Sequence, residues 1–126
     1  AETDRAIRVA LELANDPSHV TAIHVAPPLA TLEPGLVWEM VSDESRTQQL
    51  RDSFRERYDP HEPGTLAFEI RFGDPGHEIT RYASEEKIGM IVMPSHGRTG
   101  LAHLLIGSVA ERVVRMAHCP VLVLRE

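Results

Sequence analysis

The stretch Ile88-Gly89-Met90-Ile91-Val92-Met93-Pro94-Ser95-His96-Gly97-Arg98-Thr99-Gly100 decides the fold class. Its first half is nearly all apolar, as a central parallel strand buried on both faces must be. This predicts a strand over 88–93 inside a sheet. Its second half is a loop with two glycines and two hydroxyl residues. A helical pattern near 109–117 and an apolar run, Val121–Leu124, complete the chain.

Upstream the same alternation continues. Leu66, Phe68, Ile70 and Phe72 alternate with Ala67, Glu69 and Arg71. Such a period of two predicts a strand with one exposed face, placed at a sheet edge. Gly73-Asp74-Pro75-Gly76 is a loop, and a helix over about 76–87 puts Ile79, Tyr82 and Ala83 on one side. Residues 43–58 are highly charged, with Leu50, Phe54 and Tyr58 at helical spacing. Asp59–Gly64 is a turn-rich break, and 29–41 is a connection containing Trp38. Val20–Ala26 is a strand ended by Pro27 and Pro28. Ala6, Val9, Ala10, Leu13 and Ala14 mark a helix over 2–14, stopped by Asn15-Asp16-Pro17.

The resulting order predicts an α/β fold: a doubly wound, mostly parallel five-stranded sheet with helices on both faces, in a single domain over 1–126. The fifth strand of that count is not in the chain. The reading opens on a helix, whereas such a sheet starts with a strand that becomes central. A hydrophobic strand before Ala1, lying between 20–26 and 88–93, is therefore expected.

Composition removes whole classes of function. The net charge of −6 disfavours a general nucleic-acid binder, and no run approaches the length of a membrane span. One cysteine, Cys119, cannot form an internal disulfide, so a reducing, cytoplasmic compartment is expected. The only lysine, Lys87, precedes Ile88, so no Walker phosphate loop exists, and no Gly-x-Gly occurs. The seven histidines show no metal-ligand spacing, so no metal site is expected.

The loop after the strand can still hold an anion. Gly97 and Gly100 let backbone amides approach a bulky group, and Ser95, Thr99 and Ser108 add hydroxyl donors. Ser108 and Glu111 form a Ser-x-x-Glu capping box, predicting a helix from Val109 whose first amides favour a phosphate. Ligands of open α/β sheets bind at the carboxyl ends of strands, where this loop lies. The alternative is plain: the two glycines serve a tight turn and Ser108 only caps a helix. His96 and Arg98 either reach a phosphate or brace and solvate the loop.

Ile88–Arg125 resembles the C-terminal signature of the universal stress protein family. Nucleotide-binding members carry Gly-x-x-Gly, nine residues, then Gly-Ser/Thr. Gly97, the nine residues 98–106 and Gly107-Ser108 match this pattern, while Pro94 stands where the family has its first glycine. Thr21–Val25 looks like the family's second strand, whose closing valine touches adenine, here Val25. Gly73-Asp74-Pro75 and His118-Cys119-Pro120-Val121-Leu122-Val123 look like two of its corners. The family's first strand ends in an Asp that helps hold the nucleotide; both would precede Ala1.

The resemblance implies a site for ATP or ADP, with or without Mg. It draws on Val25, then Met93, Pro94, Ser95, His96, Gly97, Arg98 and Gly100, then Gly107, Ser108 and Val109. It also implies a homodimer through the strand Val121–Leu124. No general base or metal set supports fast turnover, so no catalytic residue is assigned and no enzyme activity beyond, at most, slow ATP hydrolysis is expected. Pro94, which lacks an N–H, argues for the alternative: a stress-response dimer with a vestigial pocket. A hydrolase built on Ser95 and His96 lacks an oriented acid partner.

Overall fold

The computed structural model describes residues 2–27, 43–58, 66–95 and 107–125. The chain forms two compact units, Asp16–Gly73 and Ala1–Asn15 with Asp74–Glu126.

In the first unit a 3-10 turn, Pro17–His19, feeds strand β1, Thr21–Ala26. Asp16 starts the turn: its Oδ1 accepts from the Ser18 amide at 2.9 Å and the Ser18 hydroxyl at 2.8 Å. Proline at the first helical position suits the turn because its missing N–H would have no acceptor there. Helix α1 of the second unit is Glu2–Ala14; helix α2 of the first is Asp43–Tyr58, and strand β2 is Ala67–Phe72. β1 and β2 pair in parallel, from Thr21 opposite Ala67 to Ala26 opposite Phe72.

The alternation in β2 has a concrete outcome. Residues 68, 70 and 72 share one face, and α2 packs on it. The Phe54 and Phe68 rings stack with centroids 4.1 Å apart. The Arg46 guanidinium lies 4.7 Å from the Phe72 ring centroid, and Arg51 donates to the Phe68 carbonyl at 2.9 Å. On the opposite face Glu69 and Arg71 pair at 3.2 Å. The helical stripe at Leu50 and Phe54 does point inward, with Phe54 buried and Leu50 half-buried, but Arg46 joins it. Its guanidinium reaches the Pro27 carbonyl at 2.7 Å, so the charge is buried with a partner. Gly73 ends the strand at φ 143°, a conformation that only glycine adopts without strain, and its amide donates to the Ala26 carbonyl at 3.0 Å.

The second unit holds α1, helix α3 (Pro75–Glu85), strand β3 (Ile91–Pro94), helix α4 (Ser108–Met116) and strand β4 (Val121–Leu124). β3 pairs with β4 in parallel, Ile91 opposite Val121 and Pro94 opposite Leu124. α1 packs against β3, and α3 against α4. Arg5 of α1 donates to the Arg125 carbonyl just past β4.

β3 is shorter than the apolar run 88–93 predicts, and the reason is local. Lys87 takes the left-handed conformation, φ 52°, after α3. The Lys87 amide donates to the Ser84 carbonyl and the Ile88 amide to the Ala83 carbonyl, closing a Schellman motif. Ile88 thus completes a helix rather than opening a strand. Met90 stays 44% exposed, and pairing begins at Ile91, whose amide donates to the Pro120 carbonyl. The run is therefore not a strand buried on both faces: β3 is half-buried along its length.

The α/β class with parallel strands stands. The described residues contain four strands in two parallel pairs, the four that the sequence places within 1–126. On α3 the deepest positions are Gly76, Glu78, Thr80 and Ala83. Ile79 and Tyr82 of the predicted stripe are only half-buried.

Candidate functional site

The end of β3 and the start of α4 meet at one backbone hydrogen bond. The Gly107 amide donates to the Ser95 carbonyl at 2.5 Å. The Ser95 amide in turn donates to the Leu124 carbonyl at 2.9 Å, extending the β3–β4 ladder by one rung. Ser95 is accordingly only 4% exposed. α4 therefore begins at the carboxyl end of a parallel strand, where α/β proteins receive anionic ligands.

The helix start differs from the capping box predicted. Gly107, not Ser108, is the N-cap, with φ −61° and ψ 156° and no side-chain cap bond. Its carbonyl accepts the Glu111 amide at 2.9 Å. Ser108 is the first helical residue and its side chain is exposed. The Gly107 amide itself points out of the helix, to the Ser95 carbonyl. The amides of Ser108, Val109 and Ala110 have no intrahelical acceptor. These, rather than the Gly107 amide, are the donors a phosphate would meet.

Charge around this start is balanced. Glu111 lies in the first turn of α4, where an acid opposes a bound anion, but its carboxylate is paired with Arg115. Arg112 pairs with Asp74 at 2.6 Å. Asp74 also accepts the His77 amide at 2.9 Å as the N-cap of α3. Those two hydrogen bonds, from the His77 amide first and Arg112 second, hold its carboxyl below the ordinary 3.8.

Pro94 sits in a position that tolerates it. Ile91 and Ser95 send their amides toward β4. Parity places the Pro94 nitrogen on the opposite side, so the β3–β4 ladder loses no donor. Met93 precedes it, opposite Val123, and is half-buried. His96, Gly97, Arg98 and Gly100 lie outside the described residues, as does Thr99. Val25 lies in β1 of the other unit, opposite Arg71 in register. Its neighbour His24 stays partly in solvent, and desolvation lowers its pKa below 6.5.

The structure thus brings Met93, Pro94, Ser95, Gly107, Ser108 and Val109 to one strand–helix junction. It adds Ala110, through its backbone, and the Asp74–Arg112 pair. The Asp74-Pro75 dipeptide signals a cap in sequence, but nothing local signals its arginine partner. Among the described residues no three His, Cys, Asp or Glu side chains converge as a metal site. No helix among them is long and apolar enough to cross a membrane.

A sequence model described as the universal stress protein family matches residues 1–125. The chain belongs to this family. It is 34% identical over 122 residues to universal stress protein MJ0531 of Methanocaldococcus jannaschii, covering 96% of this chain and 71% of that one. It is 31% identical over 130 residues to universal stress protein G of Shigella flexneri, covering 98% and 89%. In three dimensions it is similar to universal stress protein UspA from Lactobacillus plantarum, with TM-score 0.72 and 26% identity over 97% of this chain and 88% of that one. The family assignment accounts for the α/β architecture and the parallel pairing.

Proposed function

We propose that this universal stress protein binds an adenine nucleotide, ATP or ADP with or without Mg, and acts as a regulatory protein in the cytoplasmic stress response. The observation that carries this is the Ser95–Gly107 junction. It sets three amides without intrahelical acceptors at the carboxyl end of β3. A phosphate suits that donor set, since the nearest acid, Glu111, is already paired. The spacing of Gly97 and Gly107-Ser108, separated by nine residues, supports the same ligand, as it resembles that of nucleotide-binding members. His96 and Arg98 belong to the same loop, and Val25 is the proposed adenine contact. No base or metal set argues for rapid turnover, so the role is binding, with slow hydrolysis at most.

A second reading rests on Pro94 and on the engaged Gly107 amide, each of which removes one donor from the phosphate site. In it the pocket is vestigial and the protein serves as a structural dimer. Titration calorimetry with ATP and with ADP separates the two, together with chromatography of any nucleotide released from the purified protein. Binding, or co-purified nucleotide, supports the first reading. Absence of both overturns it and leaves the second.

A homodimer through β4 belongs to either reading. Val121, Leu122, Val123 and Leu124 are apolar yet only half-buried. An apolar edge strand offers unpaired backbone groups to a second copy, and a two-fold pairing closes the assembly.

A further inference from the structure

One carboxylate ties the starts of two helices together. Asp74 Oδ2 accepts the His77 amide at 2.9 Å and so caps α3. Asp74 Oδ1 accepts from Arg112 Nη1 at 2.6 Å, a contact made 38 residues along the chain. Arg112 is in the second turn of α4. It lies against the first turn of α3, where Gly76 is buried. A Cβ built on Gly76 would come 3.1 Å from the Arg112 Cβ, with the guanidinium Nε at 3.6 Å. Glycine at 76 thus admits Arg112, and Asp74 holds its far end. Two contacts at different points along one side chain restrict both the rotation and the slide of α4 against α3.

An exposed ion pair adds little to global stability. A cation near a helix start also opposes the helix dipole. Both points favour a local purpose over a general stabilising one. The element positioned is the turn that begins at Gly107 and carries the Ser108, Val109 and Ala110 amides.

We infer that Asp74 and Arg112 are positioning residues, a strut that holds the first turn of α4 against the end of β3. The consequence for nucleotide affinity rests on the proposed phosphate site; the consequence for the helix start does not. With the strut cut, the Gly107 amide should leave the Ser95 carbonyl more often, while the sheet stays closed.

The test uses the full chain and three variants: Arg112→Ala, Arg112→Lys and Asp74→Asn. Asparagine keeps an oxygen for the His77 amide and loses only the charge. The first readout is amide hydrogen exchange without ligand. The Gly107 and Glu111 amides should exchange about tenfold faster in Arg112→Ala and in Asp74→Asn, with Ile91 and Ser95 unchanged. Arg112→Lys, which keeps the charge, should recover part of the protection. Unchanged exchange at Gly107, or equal acceleration throughout the chain, would overturn the strut. The second readout is ATP affinity. Each single variant should weaken it about tenfold, and the double variant Asp74→Asn/Arg112→Ala no further, since both cut one link. Losses that multiply in the double variant would also overturn it. If the wild-type chain binds no ATP, the phosphate site fails, and the exchange readout still decides the strut.

Discussion

The Gly107 amide donates to the Ser95 carbonyl at 2.5 Å, so one hydrogen bond joins the end of β3 to the start of α4. Everything proposed for the site depends on that junction. It can be tested by removing a single donor.

Gly107 has φ −61°, which matches the angle a proline ring imposes. Gly107→Pro therefore deletes the N–H with little change of its own backbone angle. It leaves the carbonyl of a buried residue without its donor and should destabilise the fold by about 1–3 kcal/mol. Gly107→Ala keeps the amide and should lose under about 1 kcal/mol. Urea unfolding of both variants makes the comparison. Equal stability of the two would show that the Ser95–Gly107 hydrogen bond does not hold the start of α4 to β3.

Phe54 is 8% exposed and stacks on Phe68. It joins α2 to the buried face of β2. Phe54→Ala leaves a cavity between helix and sheet and should lose about 3–5 kcal/mol. Chemical denaturation followed by far-UV circular dichroism measures it. A loss below about 1 kcal/mol would mean that α2 is held to β2 by other contacts.

Acid should weaken the protein in two separate windows. Desolvation lowers the His24 pKa below its ordinary 6.5, so below 6.5 the unfolded chain takes up more protons than the native one. Its contribution is complete above 6.5 and is lost as the pH falls from there through the lower native value. Asp74 is held below its ordinary 3.8 by the His77 amide and Arg112. Its contribution is complete above 3.8 and lost as the pH falls through its native value. His24→Gln should flatten the first window and Asp74→Asn part of the second, which Asp16 shares because the Ser18 amide and hydroxyl hold its carboxyl low, measured by urea unfolding across pH. A wild-type profile in either variant would assign that window to other groups.

The proposed dimer has a direct test. Val123→Lys puts a charge in the middle of the half-buried β4. Sedimentation equilibrium should give twice the chain mass for the wild-type protein and the single mass for the variant at micromolar concentration. A monomeric wild-type protein would refute pairing through this strand.

By itself the sequence determined what rests on near neighbours. Apolar periodicity marked α1, the charged α2 and the alternating β2, because the period of a helix or strand is written within a few residues. The Asp16-Pro17 and Asp74-Pro75 dipeptides start helical turns at the places where sequence reading ended a helix and put a loop, since each cap is a side chain reaching an amide two or three residues on. The family was legible in Ile88–Arg125, with Gly97 and Gly107-Ser108 separated by nine residues. The tertiary structure alone decided what depends on residues far apart. Ser108 looked like the cap of α4, but Gly107 is the residue whose carbonyl accepts the Glu111 amide, and its own amide goes to Ser95, twelve residues before it. The run 88–93 looked like one buried strand, but Ile88 is used to close α3, and pairing waits for the partner that β4 supplies at Ile91. Nothing near Arg112 in the sequence marks its pairing with Asp74, 38 residues away, which folding brings to 2.6 Å. Local pattern records which shape a segment prefers. Which donor meets which acceptor is settled only when separate segments compete for the same hydrogen-bonding groups.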